Sequence, residues 1–153
     1  MIGCLRTALP RRQEKPPLDD LISINDLRIS FSLLGGDIEV VKGVSMRIPR
    51  GSTVALVGES GSGKSVISQA IMGILPLSGR VSGGEILFAD PERSGKIIDI
   101  AKLDRNSARL RDIRGGRISM IFQEPMTSLS QFHTIGNQIA EALHLHRDMD
   151  DDE

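Results

Sequence analysis

The sequence predicts an α/β fold with an antiparallel β part at the front and an incomplete parallel core sheet behind it. Three observations carry this. Between Leu21 and Ile48, apolar residues fall in period-2 stretches broken by a glycine turn. Thr53-Val54-Ala55-Leu56-Val57 is a short, continuous, β-branched run, the pattern of a strand buried on both faces of a parallel sheet. Lys64–Leu75 then spaces Val66, Ile67, Ala70, Ile71, Ile74 and Leu75 for a helix packed on that sheet.

The elements follow in order. Residues 1–17 form a basic leader: Arg6, Arg11, Arg12 and Lys15 oppose Glu14, and Pro10, Pro16 and Pro17 break regular structure. A disordered, solvated tail is expected there, against a phosphate- or lipid-touching arm. The first strand covers Ile22, Ile24, Leu27, Ile29, Phe31 and Leu33. Gly35-Gly36-Asp37 is a turn. Ile38, Val40, Val41, Val44, Met46 and Ile48 give paired strands ended by Pro49-Arg50-Gly51. After the helix, which Pro76 stops, residues 77–103 are turn-rich, with short strands expected at 85–88 and 96–100. A polar helix is expected over 105–113, ended by Gly115-Gly116. Arg117–Phe122 is a second β-rich apolar run. Thr134–His146 reads as a helix with Ile135, Ile139, Ala142 and Leu143 on one stripe. The chain divides into the leader, a unit over 18–147, and an acidic tail over 148–153.

Composition narrows the function classes. With 153 residues, 39% hydrophobic and 25% charged, the chain can bury one domain's core and is not intrinsically disordered. Its aromatics are four Phe with no Tyr or Trp, too few for a platform that stacks single-stranded bases. A formal charge of −1 gives no global field for nucleic acid or anionic lipid. The single Cys4 excludes an intramolecular disulfide and a cysteine zinc cluster, which fits a reducing, intracellular setting. No signal peptide, myristoylation glycine or run near the ~18 apolar residues of a membrane span is seen, so any membrane role comes through a partner.

One motif carries chemistry. Gly58-Glu59-Ser60-Gly61-Ser62-Gly63-Lys64-Ser65 fits G-x-x-x-x-G-K-[ST] and lies between an expected strand and an expected helix. Glycines let backbone N–H groups curl around a polyanion without a Cβ clash. The helix beginning at Lys64 aims its partly positive end at the same anion. Lys64 can reach the β- and γ-phosphates of a nucleotide, and the Ser65 hydroxyl can ligate Mg²⁺. The alternative, a glycine-rich turn beside a surface lysine, does not explain the flanking elements. A small kinase or GTPase remains open on the loop alone.

Two further stretches extend the pattern: Val66-Ile67-Ser68-Gln69-Ala70-Ile71-Met72-Gly73-Ile74-Leu75 after the loop, and Ile113–Leu129 with Phe122-Gln123-Glu124-Pro125-Met126-Thr127-Ser128-Leu129. Together these resemble the ATP-binding subunits of ABC transporters, in the oligopeptide/dipeptide/nickel importer branch that includes microcin-type peptide uptake systems. The resemblance runs from about Leu21 to Leu145. It implies a P-loop NTPase fold of the ABC nucleotide-binding type. It implies that Gly58–Ser65 and Val66 hold ATP and that Ser65 and Gln123 contact Mg²⁺. Gln123 would be the Q-loop glutamine, which also positions the attacking water, and its loop would meet the membrane-spanning permease. Phe31 stands where the family stacks an aromatic on adenine, although strand alternation explains a core-facing Phe31 equally well. The implied partners are ATP, permease subunits, a second ATP-binding subunit and, indirectly, an extracytoplasmic solute-binding protein, with no nucleic acid. The implied location is the cytoplasmic face of the inner membrane, peripherally.

Two stretches imitate later family motifs. Val81-Ser82-Gly83-Gly84-Glu85 imitates the signature but precedes Gln123, and is expected to be a turn. Ile86-Leu87-Phe88-Ala89-Asp90 imitates Walker B but is followed by Pro91 rather than Glu, and is expected to be non-catalytic. His144 and His146 are two apart, poorly spaced for metal binding in a helix, and His133 is isolated. Gln131 stands where the family usually has Pro.

After Gln123 the family continues through the signature, Walker B with its catalytic Glu, the D-loop and the switch His, none of which is in residues 124–153. The expectation is therefore a front portion that binds nucleotide weakly and does not hydrolyse it alone. Its strands 53–57 and 117–122 want sheet neighbours, which predicts poor solubility. The functional expectation is an importer's ATP-binding subunit for peptides or related solutes. The alternatives are a non-hydrolytic regulatory nucleotide-binding module and a P-loop enzyme of another class. The Gln123 flank argues against the last.

Overall fold

The structure is a computed structural model and describes residues 20–93, 96–124 and 129–146. The leader and the acidic tail lie outside the described residues, as do Pro125–Ser128 of the Gln123 flank.

The first two strands form a long hairpin, β1 (Asp20–Leu33) and β2 (Gly36–Pro49). Its turn is Leu34-Gly35, with Gly36 at φ 122°, where the sequence places a turn. β3 (Gly79–Asp90) pairs with the other edge of β1, and β4 (Lys96–Asp99) pairs with β3. The sheet is antiparallel throughout, in the order β2-β1-β3-β4. Period-2 alternation sets the register: Ile22 and Ile24 face Ile48 and Met46 on one side, and Phe88 and Ile86 on the other. Ile22, Ile24, Ile86 and Phe88 form one buried cluster with Leu27, Ile29, Val41, Ile98 and Ile100, with Met46 and Ile48 half-buried against it, closed by Ile67 and Ala70 of α1 (Lys64–Met72) and Leu110 and Ile113 of α2 (Ala108–Gly116). At the hairpin end, Arg80 and the Ser32 hydroxyl both bond Asp37 and hold its carboxyl below its usual range, the Arg80 hydrogen bond being the larger cause.

A bulge crosses three strands at one level. Gly43 in β2 (φ 82°), Asp26 in β1 (φ 46°) and Gly84 in β3 (φ 80°) all have left-handed backbone. The registers of β1 with both neighbours shift there. The Ser45 hydroxyl accepts from the Asp26 N–H at 2.9 Å, and Arg28 binds the Asp26 carboxylate.

Four expectations need correction. Val81–Glu85 is not a turn but the interior of β3, which begins at Gly79 rather than at residue 85. The edge of β1 supplies partners that outweigh local turn preference: Val81 pairs with Ile29 and Gly83 with Arg28, while Gly79 lies under the Phe31 ring. Secondly, α1 stops at Met72, not Leu75. Gly73 takes φ 65°, its N–H bonds Ala70 O, and the Ile74 N–H bonds Gln69 O, a Schellman closure. Thirdly, α2 starts at Ala108, not 105, because Asp104 draws the Asn106 N–H into a turn and the Ser107 hydroxyl accepts from Leu110 N–H at 3.2 Å as N-cap. Its last helical residue before the kink at Arg114 and Gly115 is Ile113.

The fourth correction concerns the parallel part of the sheet. Thr53–Val57 and Arg117–Phe122 are not strands, and among the described residues the one parallel contact is the bridge between Arg114 and Ile118. A parallel strand exists only through its neighbours' hydrogen bonds, and neither run has a described strand beside it. Val57 is 89% exposed and Ile121 94%. The final helix, α3 (Ile135–His146), is where the sequence places it, with Thr134 Oγ1 accepting from Asn137 N–H at 3.2 Å. Three residues of its apolar stripe are exposed: Ile135 at 64%, Ile139 at 60% and Leu143 at 44%.

Candidate functional site

The glycine-rich loop is built as its composition requires. Gly61 (φ 77°) and Gly63 (φ 91°) adopt backbone that side chains disfavour. Gly63 is buried, and a Cβ there would meet Val41 Cγ2 at 3.3 Å, so β2 fixes how closely the loop approaches the sheet. The Ser62 N–H bonds Glu59 O at 3.3 Å, and the Ile67 N–H bonds Gly63 O at 3.1 Å. Gly63 is also the N-cap of α1. It offers no side-chain hydrogen bond to the helix, and α1 has no acidic residue in its first turn. The first-turn N–H groups and the positive end of the dipole therefore face outward without an internal counter-charge.

Lys64 closes the loop. Its ammonium donates to Gly58 O at 2.8 Å, Glu59 O at 2.5 Å and Ser62 Oγ at 3.1 Å. Three donors and three oxygens put a point charge at the mouth of the loop, beside the helix terminus. Ser60 and Ser65 are exposed, and Val66 packs half-buried on the core. The arrangement can hold a phosphate between the ammonium and the backbone donors once the ammonium gives up a loop oxygen, and Ser65 beside it is exposed.

The other sequence-derived candidates are placed differently. Phe31 is half-buried on the core, its ring over Gly79, where a Cβ would meet it at 2.9 Å. Gln123 is exposed and follows the unpaired run Arg117–Phe122. The hydrogen bonds that close the loop involve neither residue. Among the described residues, no group of three or more His, Cys, Asp and Glu could hold a metal, and no helix is long and apolar enough to cross a membrane. Sequence reasoning missed the packing of Val40 and Val41 against Gly63, and the pairing of Asp90 with Arg117. No local pattern signals either.

A glycine loop with left-handed turns, an uncapped helix terminus and a lysine at the first helical position define a P-loop nucleotide-binding protein. The ABC transporter family matches residues 41–152, and the chain belongs to that family. It is 44% identical over 133 residues to the dipeptide transport ATP-binding protein DppD of Bacillus subtilis, covering 86% of this chain and 37% of that protein. It is 45% identical over 127 residues to the oligopeptide transport ATP-binding protein OppD of Bacillus subtilis, covering 82% and 33%. To the glutathione import ATP-binding protein GsiA of Salmonella typhimurium it is 44% identical over 129 residues, covering 84% and 20%. The chain thus spans between about a fifth and two fifths of the length of these relatives.

Proposed function

We propose that this chain is the nucleotide-binding front of an ATP-binding subunit in an ABC importer for peptides or related solutes. The observation that carries the reading is Lys64, gathered by loop oxygens at the uncapped start of α1. Relatives named for dipeptide and oligopeptide transport, matched over more than four fifths of the chain, support the substrate class. In this reading Gly58–Val66 cradle ATP, Ser65 and Gln123 hold Mg²⁺, and the Gln123 segment meets the permease. A second ATP-binding subunit completes each site, and a solute-binding protein acts from the far side of the membrane. The subunit sits peripherally at the cytoplasmic face of the inner membrane. Residues 1–153 hold no Walker B acid or signature sequence, and hydrolysis needs an oriented nucleophile as well as charge neutralisation. The chain by itself therefore binds MgATP weakly and does not turn it over.

Calorimetric titration with MgATP, paired with a phosphate-release assay, tests this. Weak binding without release is expected. Steady Mg²⁺-dependent release by the purified chain would overturn the inactivity, and absence of any binding would overturn the nucleotide reading. A regulatory module that never hydrolyses is the second reading. An open reading frame past Glu153 without an apolar strand ending Asp-Glu would favour it.

Phe31 yields a separate prediction. Phe31→Leu keeps the apolar packing over Gly79 and removes the ring. If the ring stacks on adenine, ATP affinity falls about tenfold, since a stacked base is worth ~1–3 kcal/mol, while the melting temperature moves little. Unchanged affinity would assign Phe31 to packing alone.

A further inference from the structure

We infer that Arg117 is a positioning residue for Gln123, held in place by Asp90 and Glu92. The inference rests on the reading above, in which Gln123 serves the Mg²⁺-bound nucleotide.

Asp90 ends β3 with its side chain only 2% exposed. A carboxylate so buried requires charged or hydrogen-bonding partners. Its Oδ1 accepts from the Glu92 N–H at 3.1 Å, which folds the following 3-10 turn (Pro91–Arg93) back over the strand end. Arg117 approaches the same place from elsewhere in the chain. Its Nη1 lies 2.7 Å from Glu92 Oε2 and its Nε 3.7 Å from Asp90 Oδ1, with the Arg117 side chain 19% exposed. The Arg117 Nε makes no hydrogen bond, so Asp90 holds the guanidinium by charge and Glu92 by close contact, and the planar fork gives that contact a direction which a lysine's point charge lacks.

The main chain there is equally restrained. The Arg117 and Ile118 N–H groups both bond Ile113 O, at 3.0 and 2.9 Å, and the Gly115 N–H bonds Ile118 O at 2.8 Å. Gly115, at φ 93°, reverses the chain to allow this. Beyond Ile118, residues 119–122 belong to no strand, and Gln123 follows them. The clamp at Arg117 is thus where the antiparallel sheet grips the segment that carries Gln123, and it sets the direction in which that segment leaves. The phosphate loop is untouched by it: Lys64 has its own partners in Gly58, Glu59 and Ser62.

A purely structural ion pair would lower stability and nucleotide affinity together. A positioning residue acts through Gln123 and so affects the Mg²⁺-dependent part. The experiment measures ATP affinity of the full chain with Mg²⁺ and with EDTA, alongside melting, for wild type, Arg117→Gln, Gln123→Ala and the double variant. Glu92→Gln is included because it loosens the clamp while leaving the buried Asp90 opposite its arginine, should Arg117→Gln fail to fold. The expected result is that Arg117→Gln and Gln123→Ala each cut the Mg²⁺-dependent gain in affinity about tenfold, ~1.4 kcal/mol, and that the double variant loses no more than either. Affinity in EDTA stays at the wild-type value, Glu92→Gln gives a smaller loss of the same kind, and Arg117→Lys recovers part. Losses that add in the double variant, or that appear equally in EDTA, overturn the inference and leave the proposed function standing. A wild-type chain that binds no ATP overturns both.

Discussion

Lys64→Ala is expected to abolish measurable ATP binding, or to weaken it at least about a hundredfold, without lowering the melting temperature. The ammonium is the one side-chain cation in the loop, and a hydrogen bond to a charged group contributes ~1.5–3 kcal/mol. In the proposed complex the ammonium would exchange loop oxygens for two phosphates, and losing both of those hydrogen bonds would cost about 3–6 kcal/mol, a factor of a hundred or more. Stability is spared because the hydrogen bonds of Lys64 to Gly58, Glu59 and Ser62 lie at the exposed mouth of the loop. The buried anchor of the loop is Gly63 against Val41. Lys64→Arg is also expected to bind poorly, because a planar fork cannot sit where three oxygens converge on one nitrogen. Titration of both variants with MgATP, beside thermal melts, checks this. Wild-type affinity in Lys64→Ala would refute the assignment of the phosphate site.

Gly84→Ala is expected to destabilise the chain by about 3 kcal/mol or more, a large share of an ordinary domain's ~5–15 kcal/mol. Two causes add. Gly84 sits at φ 80°, where an alanine costs ~1 kcal/mol or more. Its Cβ would also lie 2.3 Å from Asp26 O and 2.5 Å from Asn25 O, backbone atoms of the neighbouring strand that cannot rotate away. Relief requires β1 and β3 to separate at the bulge, and that junction flanks the buried Leu27 and Ile86. Gly35→Ala is the control: nothing lies within 4 Å of its Cβ, so it should stay within ~0.5 kcal/mol of wild type. Urea midpoints for the two variants decide the matter, and equal midpoints would exclude the clash.

What the sequence disclosed is what depends on neighbours along the chain. The β1–β2 hairpin, the helix after the glycine loop and the loop itself follow from alternation, helical spacing and left-handed glycines. The front of β3 was hidden because Gly79, Gly83 and Gly84 are turn residues by local preference. They become strand only against Phe31 and Arg28, and that register is invisible until β1 is in place. Thr53–Val57 shows the opposite failure. Its composition is that of a strand, but strand-forming residues are not a strand without a partner to share N–H and C=O groups. The candidate phosphate site was legible as far as Lys64, whose partners lie within six residues. The clamp joining Asp90, Glu92 and Arg117 was not, because it depends on α2 returning the chain to the end of β3. Along the chain Asp90 merely imitates a catalytic acid, and burial gives it its meaning.

The buried cluster draws its members from Ile22 through Ile113. During synthesis from the N-terminus, a ribosome that has released residue 113 has released every side chain of that cluster. The sheet and the two helices that close it can condense before the Gln123 segment and α3 emerge. Those later residues then meet a surface already formed, and Ile121 and Ile139 among them stay exposed, as does Val57 of the earlier chain.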